Sequence, residues 1–319
     1  MHVTDFVWGQ SSHHAPLNGS VVAVGAFDGV HLGHQALVSR LREESKKRDL
    51  PSVIVLFEPQ PNEFFATGEA PARLTRLREK VDVFQKLGID RVVCLHFNRA
   101  LRSLTPVEFV EEILVKALGL KFLVVGDDFR FGRGGAGDYE MLCKLAERLG
   151  FSVTDTQSFI VGSNRVSSTM IREALAQAKF KEAMAMLGRP YSTLGRVVYG
   201  KQLGRTLGFP TMNIHLGSRV FPLKGVFAVK VFGREASYLG VANIGVRPTV
   251  NTLKKPSLEV HVLDAVLENY GEFVRIEYIK KIRDEILFDG LPSLKAQIQQ
   301  DVVEARAIFA ECEQTGTYN

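Results

Sequence analysis

The chain has little of what would place it outside ordinary globular proteins. Its 319 residues include only three cysteines. Cys94, Cys143 and Cys312 are scattered and odd in number, which excludes a disulfide framework and the paired spacing of a zinc site, and fits a reducing cytoplasm. There is one tryptophan and there are 12 prolines, with no proline-rich linker, low-complexity tract or internal repeat. Apolar runs such as Leu120–Gly126 fall far short of the roughly 18–20 residues that cross a bilayer. The opening MHVTDFVWGQSSHH has neither the basic start nor the apolar core of a secretion signal. No block of like charge forms a polybasic arm for nucleic acid or membrane.

What is present is a composition able to bury cores: 45% hydrophobic and 24% charged residues. At roughly 150 residues per domain the length suggests two. The net charge of +5 is uneven, since 17 basic against 13 acidic residues lie from Leu187 onward. A mild excess of this kind suits phosphorylated small molecules.

The two halves follow different patterns. Up to residue 186, β-branched runs (Val21–Phe27, Ser52–Phe57, Arg91–Phe97, Lys121–Gly126, Phe151–Asp155) alternate with helical patterns over Gln35–Arg48, Ala72–Leu87, Thr105–Leu118 and Asp138–Leu149. Strands apolar on both faces and separated by helices predict a doubly wound parallel sheet, whose ligands lie beyond the carboxyl ends of the strands. Short helices are expected over Thr169–Gln177 and Phe180–Leu187. From Thr193 the period falls to two, with glycine and proline turns, which predicts a closed antiparallel β-barrel. A helix from about Leu291 to Glu313 ends the chain. The expected domains are 1–186 and 187–319.

The sharpest chemical signal is GAFDGVHLGH, Gly25 to His34, at the first strand-to-helix turn. Glycines there allow close backbone approach, and a helix start offers free N–H groups to phosphate. His31 and His34, three apart, are expected on one face of the first turn, where imidazoles stabilise charge on a phosphoryl group in transfer. Two histidines near a turn, taken alone, read as polar surface. Two other patterns mislead. Gly132, Gly134 and Gly137 spell G-x-G-x-x-G but stand five residues after their strand, so they read as a flap over a ligand. Gly195, Gly200 and Lys201 resemble a P-loop, but Gln202 stands where a magnesium hydroxyl is needed.

The histidine segment resembles the HxGH nucleotidyltransferases. With VGDDFRFGRGGAGD (Val125–Asp138), SSTMIREAL (Ser167–Leu175), GRVVYGKQLGRTLGFPTMNI (Gly195–Ile214), SLEVHVLD (Ser257–Asp264) and RDEILFDGLPSLKAQIQQD (Arg283–Asp301), nearly the whole chain resembles the prokaryotic bifunctional riboflavin kinase/FMN adenylyltransferase (FAD synthetase) family. The resemblance implies phosphorylation of riboflavin to FMN by the barrel, and adenylylation of FMN to FAD by the N-terminal domain, both with ATP and Mg2+.

Residue by residue, the resemblance implies His31 and His34 as catalytic groups, with Gly25, Phe27, Asp28 and Gly33 at the nucleotide. Ser168, Thr169 and Arg172 are implied ATP contacts, as a helix start with an arginine fork also suggests. Asn62 is a flavin or phosphate contact. Asp127 serves ATP ribose or magnesium, with a solvated turn as the alternative. In the barrel, Gly200, Gly204 and Gly208 cradle phosphate, with Lys201 and Arg205 adding charge. Thr211 and Asn213 offer magnesium ligands two apart on one strand face, Met212 pointing the opposite way. Glu259, rather than His261, is the implied general base. Asn243 and Arg247 line the cleft, and Arg283 touches nucleotide or flavin. Gln60 stands where the family commonly has histidine, so the alternative is a riboflavin kinase with weakened adenylyl transfer. A nucleic-acid-binding barrel is the rival from another class, but it lacks aromatics interleaved with a basic stripe. The expected partners are ATP, riboflavin, FMN and FAD, with no nucleic acid and no membrane.

Overall fold

The computed structural model describes residues 6–9, 18–156, 159–161, 164–200, 203–217, 220–247, 255–265 and 269–316. They form two compact units. One runs from the start of the described chain to Pro71 and over Thr75–Ser167; the other holds Ala72–Leu74 and everything from Ser168.

The first unit contains, in chain order, β1 (Phe6–Gly9), β2 (Ser20–Val24), α1 (Leu32–Arg48), β3 (Ser52–Glu58), α2 (Pro61–Phe65), α3 (Leu77–Lys86), β4 (Arg91–His96) and α4 (Arg99–Ser103). It continues with α5 (Pro106–Glu108), β5 (Leu120–Gly126), α6 (Tyr139–Leu149), β6 (Ser152–Thr156), β7 (Ile160–Val161) and β8 (Asn164–Arg165). The sheet order is β1-β4-β3-β2-β5-β6. Strands β2 to β6 are parallel, and β1 adds antiparallel at the edge beside β4. Alternate residues feed two cores. Val22, Val24, Val53 and Val55 face the helices after β4 and β5, while Val21, Ala23, Ile54 and Leu56 face α1 and α3. Burial on both faces is why these strands read as continuous apolar runs.

The structure departs from the sequence expectation in three places. The expected helix Ala72–Leu87 begins only at Leu77, because the Thr75 N–H and hydroxyl serve Asp28 and Gly29 instead of a helical ladder. The segment after Pro106–Glu108 continues as a π-helical stretch, Phe109–Ala117. The edge strand β1 is four residues long, too short to show a period.

The second unit begins with α7 (Ser168–Ala176) and α8 (Phe180–Leu187), then β9 (Ser192–Val198), α9 (Leu203–Thr206), β10 (Thr211–His215), β11 (Gly225–Phe232), β12 (Ser237–Arg247), β13 (Lys255–Val262), β14 (Phe273–Arg283) and α10 (Leu291–Thr315). Six antiparallel strands close into a barrel in the order β10-β13-β12-β11-β14-β9. Helix α8 packs on it through Phe180, whose ring lies 5.9 Å from that of Phe227 and 6.3 Å from that of Tyr278. Helix α10 buries Ala305, Ile308 and Phe309 against Val226, Ala228 and Val241.

Candidate active sites

In the first unit the turn from β2 to α1 is tightly constrained. Phe27 and Val30 hold positive φ of 47° and 42° around Gly29 at 84°. Such backbone costs about 1–3 kcal/mol per residue and persists where surrounding structure overdetermines it. Here both side chains are buried in the core beneath α1, and Gly29 donates its N–H to Thr75 Oγ1 at 2.9 Å while Thr75 N–H donates to Asp28 Oδ1 at 3.0 Å. Buried Lys80 of α3 donates to the Ala26 carbonyl at 2.5 Å.

His31 is the N-cap of α1. Its Nδ1 accepts from the His34 N–H at 3.3 Å, so the proton of the neutral ring sits on Nε2. The two rings stack 3.6 Å apart at 18°. A Cβ on Gly33 would lie 3.2 Å from His31 Nδ1, so glycine gives this stack its room. Burial above all, then the charges of His31 and Lys80, hold His34 well below the usual histidine pKa. Its Nδ1 is buried without a hydrogen-bond partner, the kind of group that clusters at functional sites.

The remaining N-terminal candidates divide. Gly25 stands against the Phe27 ring, which itself packs edge-on to Phe84 at 5.4 Å. Asp28 is buried and turned to Thr75. Asn62 is exposed on α2. Gln60, just before α2, is buried with its Nε2 unpaired. Beyond β5, Asp127 and Asp128 receive Arg165 of β8 at 2.7 and 3.1 Å. A cavity of about 220 Å³ opens beyond Val24 and Phe57, walled by Phe57, Phe97, Phe109, Phe129 and Phe131 and by the Gly132–Gly135 turn. Phe129 and Phe131 stack at 5.7 Å, and Phe131 bridges Gly137, closing the base of the expected flap.

In the second unit, Ser168 and Thr169 open α7, and Arg172 Nε donates to the Ala72 carbonyl at 2.6 Å. The barrel aligns Asn213 of β10, Glu259 of β13 and Asn243 of β12 side by side in register. Thr211, Asn243, Glu259, His261 and Arg283 line a cavity of about 290 Å³. Met212 is buried on the other strand face, as its position predicts. Gly200 lies against the Asn213 amide and Gly204 against the Phe209 carbonyl, where a side chain would collide. Gly208, at φ 89°, turns the chain after α9, and Arg205 is exposed. Arg283 lines the cavity while its guanidinium grips Asp301 of α10 with two bonds of 2.7 Å. Lys201 and the Arg247 side chain lie outside the described residues.

Sequence reasoning missed Thr75, Lys80, Arg165, Asp301 and the aromatic cavity. One signal existed for Lys80: it stands four residues before Phe84 and next to Val81, on the buried side of α3, and a buried lysine needs a reason.

A nucleotidyltransferase-like sheet followed by a separate glycine-looped barrel defines a class of two-activity, phosphate-handling transferases. Comparison with known proteins resolves that class. The FAD synthetase family matches residues 13–170 and the riboflavin kinase family residues 187–309. The bifunctional riboflavin kinase/FMN adenylyltransferase of Escherichia coli K12 is 50% identical over 92% of this chain and 94% of its own. That of Haemophilus influenzae is 46% identical over 92% and 95%. A crystal structure from Streptococcus pneumoniae, described as a macrolide-efflux protein, matches with a TM-score of 0.75 and 29% identity over 93% of this chain and 97% of that one, a likeness of fold. No described helix here is long and apolar enough to cross a membrane. The chain belongs to the bifunctional riboflavin kinase/FMN adenylyltransferase family and makes FMN from riboflavin and FAD from FMN, using ATP.

Proposed function

We propose that residues 1–186 carry adenylyl transfer and residues 187–319 riboflavin phosphorylation. The observation that supports this reading is that one cavity is lined by residues between Val24 and Gly135 and the other by residues between Gly204 and Val302, each beside a glycine-bearing turn.

In adenylyl transfer, an oxygen of the FMN phosphate attacks the α-phosphorus of ATP, the bond to the β-phosphate oxygen breaks, and pyrophosphate leaves. The nucleophile is already an anion, so positioning and charge stabilisation dominate. His31 presents Nε2–H, and the 3.6 Å stack with His34 disfavours two protonated rings. The aromatic cavity suits the flavin ring system, which stacks on phenylalanines. Asp127 serves the ATP ribose or magnesium, once Arg165 yields it. Gly25, Phe27, Asp28 and Gly33 shape and brace the turn; Asn62 sits beside Pro61 at the flavin end.

In the kinase step, Glu259 removes the proton of the ribityl hydroxyl, whose oxygen attacks the γ-phosphorus as ADP leaves. Asn213 and Asn243 flank the carboxylate on both neighbouring strands. Gly200, Gly204 and Gly208 let N–H groups face phosphate, with Lys201, Arg205 and Arg247 adding charge. Thr211 and Asn213 form a neutral oxygen donor set of the kind that suits Mg2+ arriving with ATP phosphates. When bound, the ion neutralises the triphosphate. Arg283 shapes the cavity wall through Asp301. The positive excess of the C-terminal half thus serves phosphates, with no nucleic acid or membrane partner, in the cytoplasm.

Incubation with riboflavin and ATP, with and without Mg2+, followed by chromatography of the flavins, tests this reading. FMN and then FAD with pyrophosphate are expected, both lost on chelation. FMN accumulating without FAD would favour the alternative in which Gln60 marks a weakened adenylyl site.

A further inference from the structure

We propose that His261 is a positioning residue for phosphoryl transfer, resting on the reading of the barrel as the kinase site. Its Nδ1–H, tied to the Pro210 carbonyl, fixes the start of β10 and with it the oxygens of Thr211 and Asn213.

His261 Nδ1 lies 2.9 Å from the Pro210 carbonyl oxygen, a contact spanning 51 residues of chain. A carbonyl only accepts, so the ring must carry its hydrogen on Nδ1. The Phe209 ring stands edge-on to the imidazole at 5.4 Å and 83°, which fixes its plane. Thr211, the next residue after Pro210, pairs directly opposite His261 across β10 and β13. Proline has no N–H to give a ladder, so the chain entering β10 depends on other ties. The Phe209 N–H donates to the Gly204 carbonyl at 2.8 Å on one side, and His261 takes the Pro210 carbonyl on the other. The segment Phe209–Thr211 also backs Gly204, where a side chain would collide. His261 therefore holds the strip from which both the glycine loop and the magnesium-ligand strand take their places. Glu259, two residues away on the same strand face, is left as the base.

The test uses the full chain with His261 replaced by Ala, Asn or Gln. The asparagine amide N–H reproduces the place of Nδ1, and that of glutamine reaches the place of Nε2. The readouts are KM for ATP, KM for riboflavin and kcat in FMN formation, with circular dichroism and the thermal melt of the barrel in the full chain as the control for folding. For His261→Ala, KM for ATP is expected to rise about tenfold, the worth of one hydrogen bond, with KM for riboflavin near wild type. His261→Asn should restore most of this and His261→Gln little. Rescue by glutamine but not asparagine, equal effects on both substrates, or no effect in any variant would each overturn the proposal. A wild-type protein making no FMN would contradict the kinase reading instead.

Discussion

Replacing Asp301 by alanine removes the clamp between α10 and the barrel. Its carboxylate is 4% exposed and takes two 2.7 Å bonds from Arg283, which is 20% exposed. Gln297 adds a bond of 3.0 Å. Breaking a buried pair from one side costs about 3–5 kcal/mol. Water reaches part of the Arg283 guanidinium and relieves some of that load, which leaves about 2–3 kcal/mol. At about 2–4 °C per kcal/mol for a unit of this size, the barrel should melt about 4–12 °C lower. Differential scanning calorimetry of the full chain measures this, with FAD formation from supplied FMN reporting the other unit. The double change Asp301→Leu with Arg283→Met should recover most of the loss, because replacing both members of a buried pair by apolar groups is often nearly neutral. A fall under about 1 °C for Asp301→Ala, or a double variant as unstable as the single one, would refute the reasoning.

Three further outcomes are expected. His34 is held below its ordinary value, so the unfolded chain binds its proton more readily; its contribution to stability is complete above pH 6.5 and is lost as pH falls from there toward the folded pKa. His34→Asn should therefore flatten the acid side of the stability curve in urea titrations at successive pH, and an unchanged slope would contradict the assignment. Lys80→Met, which releases the Ala26 carbonyl, should lower FAD formation by at least about tenfold while FMN formation is unchanged; equal loss of both activities would count against it. Phe97→Ala should raise KM for FMN about tenfold in the adenylyl reaction through lost ring contact, with KM for riboflavin unmoved.

Much of the architecture was legible because its cause is local. Strands buried on both faces announce a parallel sheet, and the change of period at Thr193 announces the barrel. The start of α3 was not legible, since Thr75 is drawn away by Asp28, 47 residues earlier in the chain. Helices α7 and α8 follow the sheet in sequence but lie with the barrel unit, because Phe180 finds its partners in Phe227 and Tyr278. In the site, most polar residues of the barrel were named, but the arrangements the fold makes among distant residues were not. The His31–Gly33–His34 segment declares itself. The aromatic cavity draws Phe57, Phe97, Phe109 and Phe131 from separate elements, and the Asn213–Glu259–Asn243 alignment depends on a strand register that no spacing reveals.

The central claim, two reactions in two halves, is tested most directly by a mirror pair of variants assayed on both substrates. The account predicts that His34→Ala makes FMN from riboflavin at near the wild-type rate while FAD formation falls about 100-fold or more, the usual effect of losing one group that stabilises transition-state charge. Glu259→Ala should do the reverse, losing FMN formation and still converting supplied FMN to FAD. If either variant lost both activities together while remaining folded, the division between the halves would be wrong.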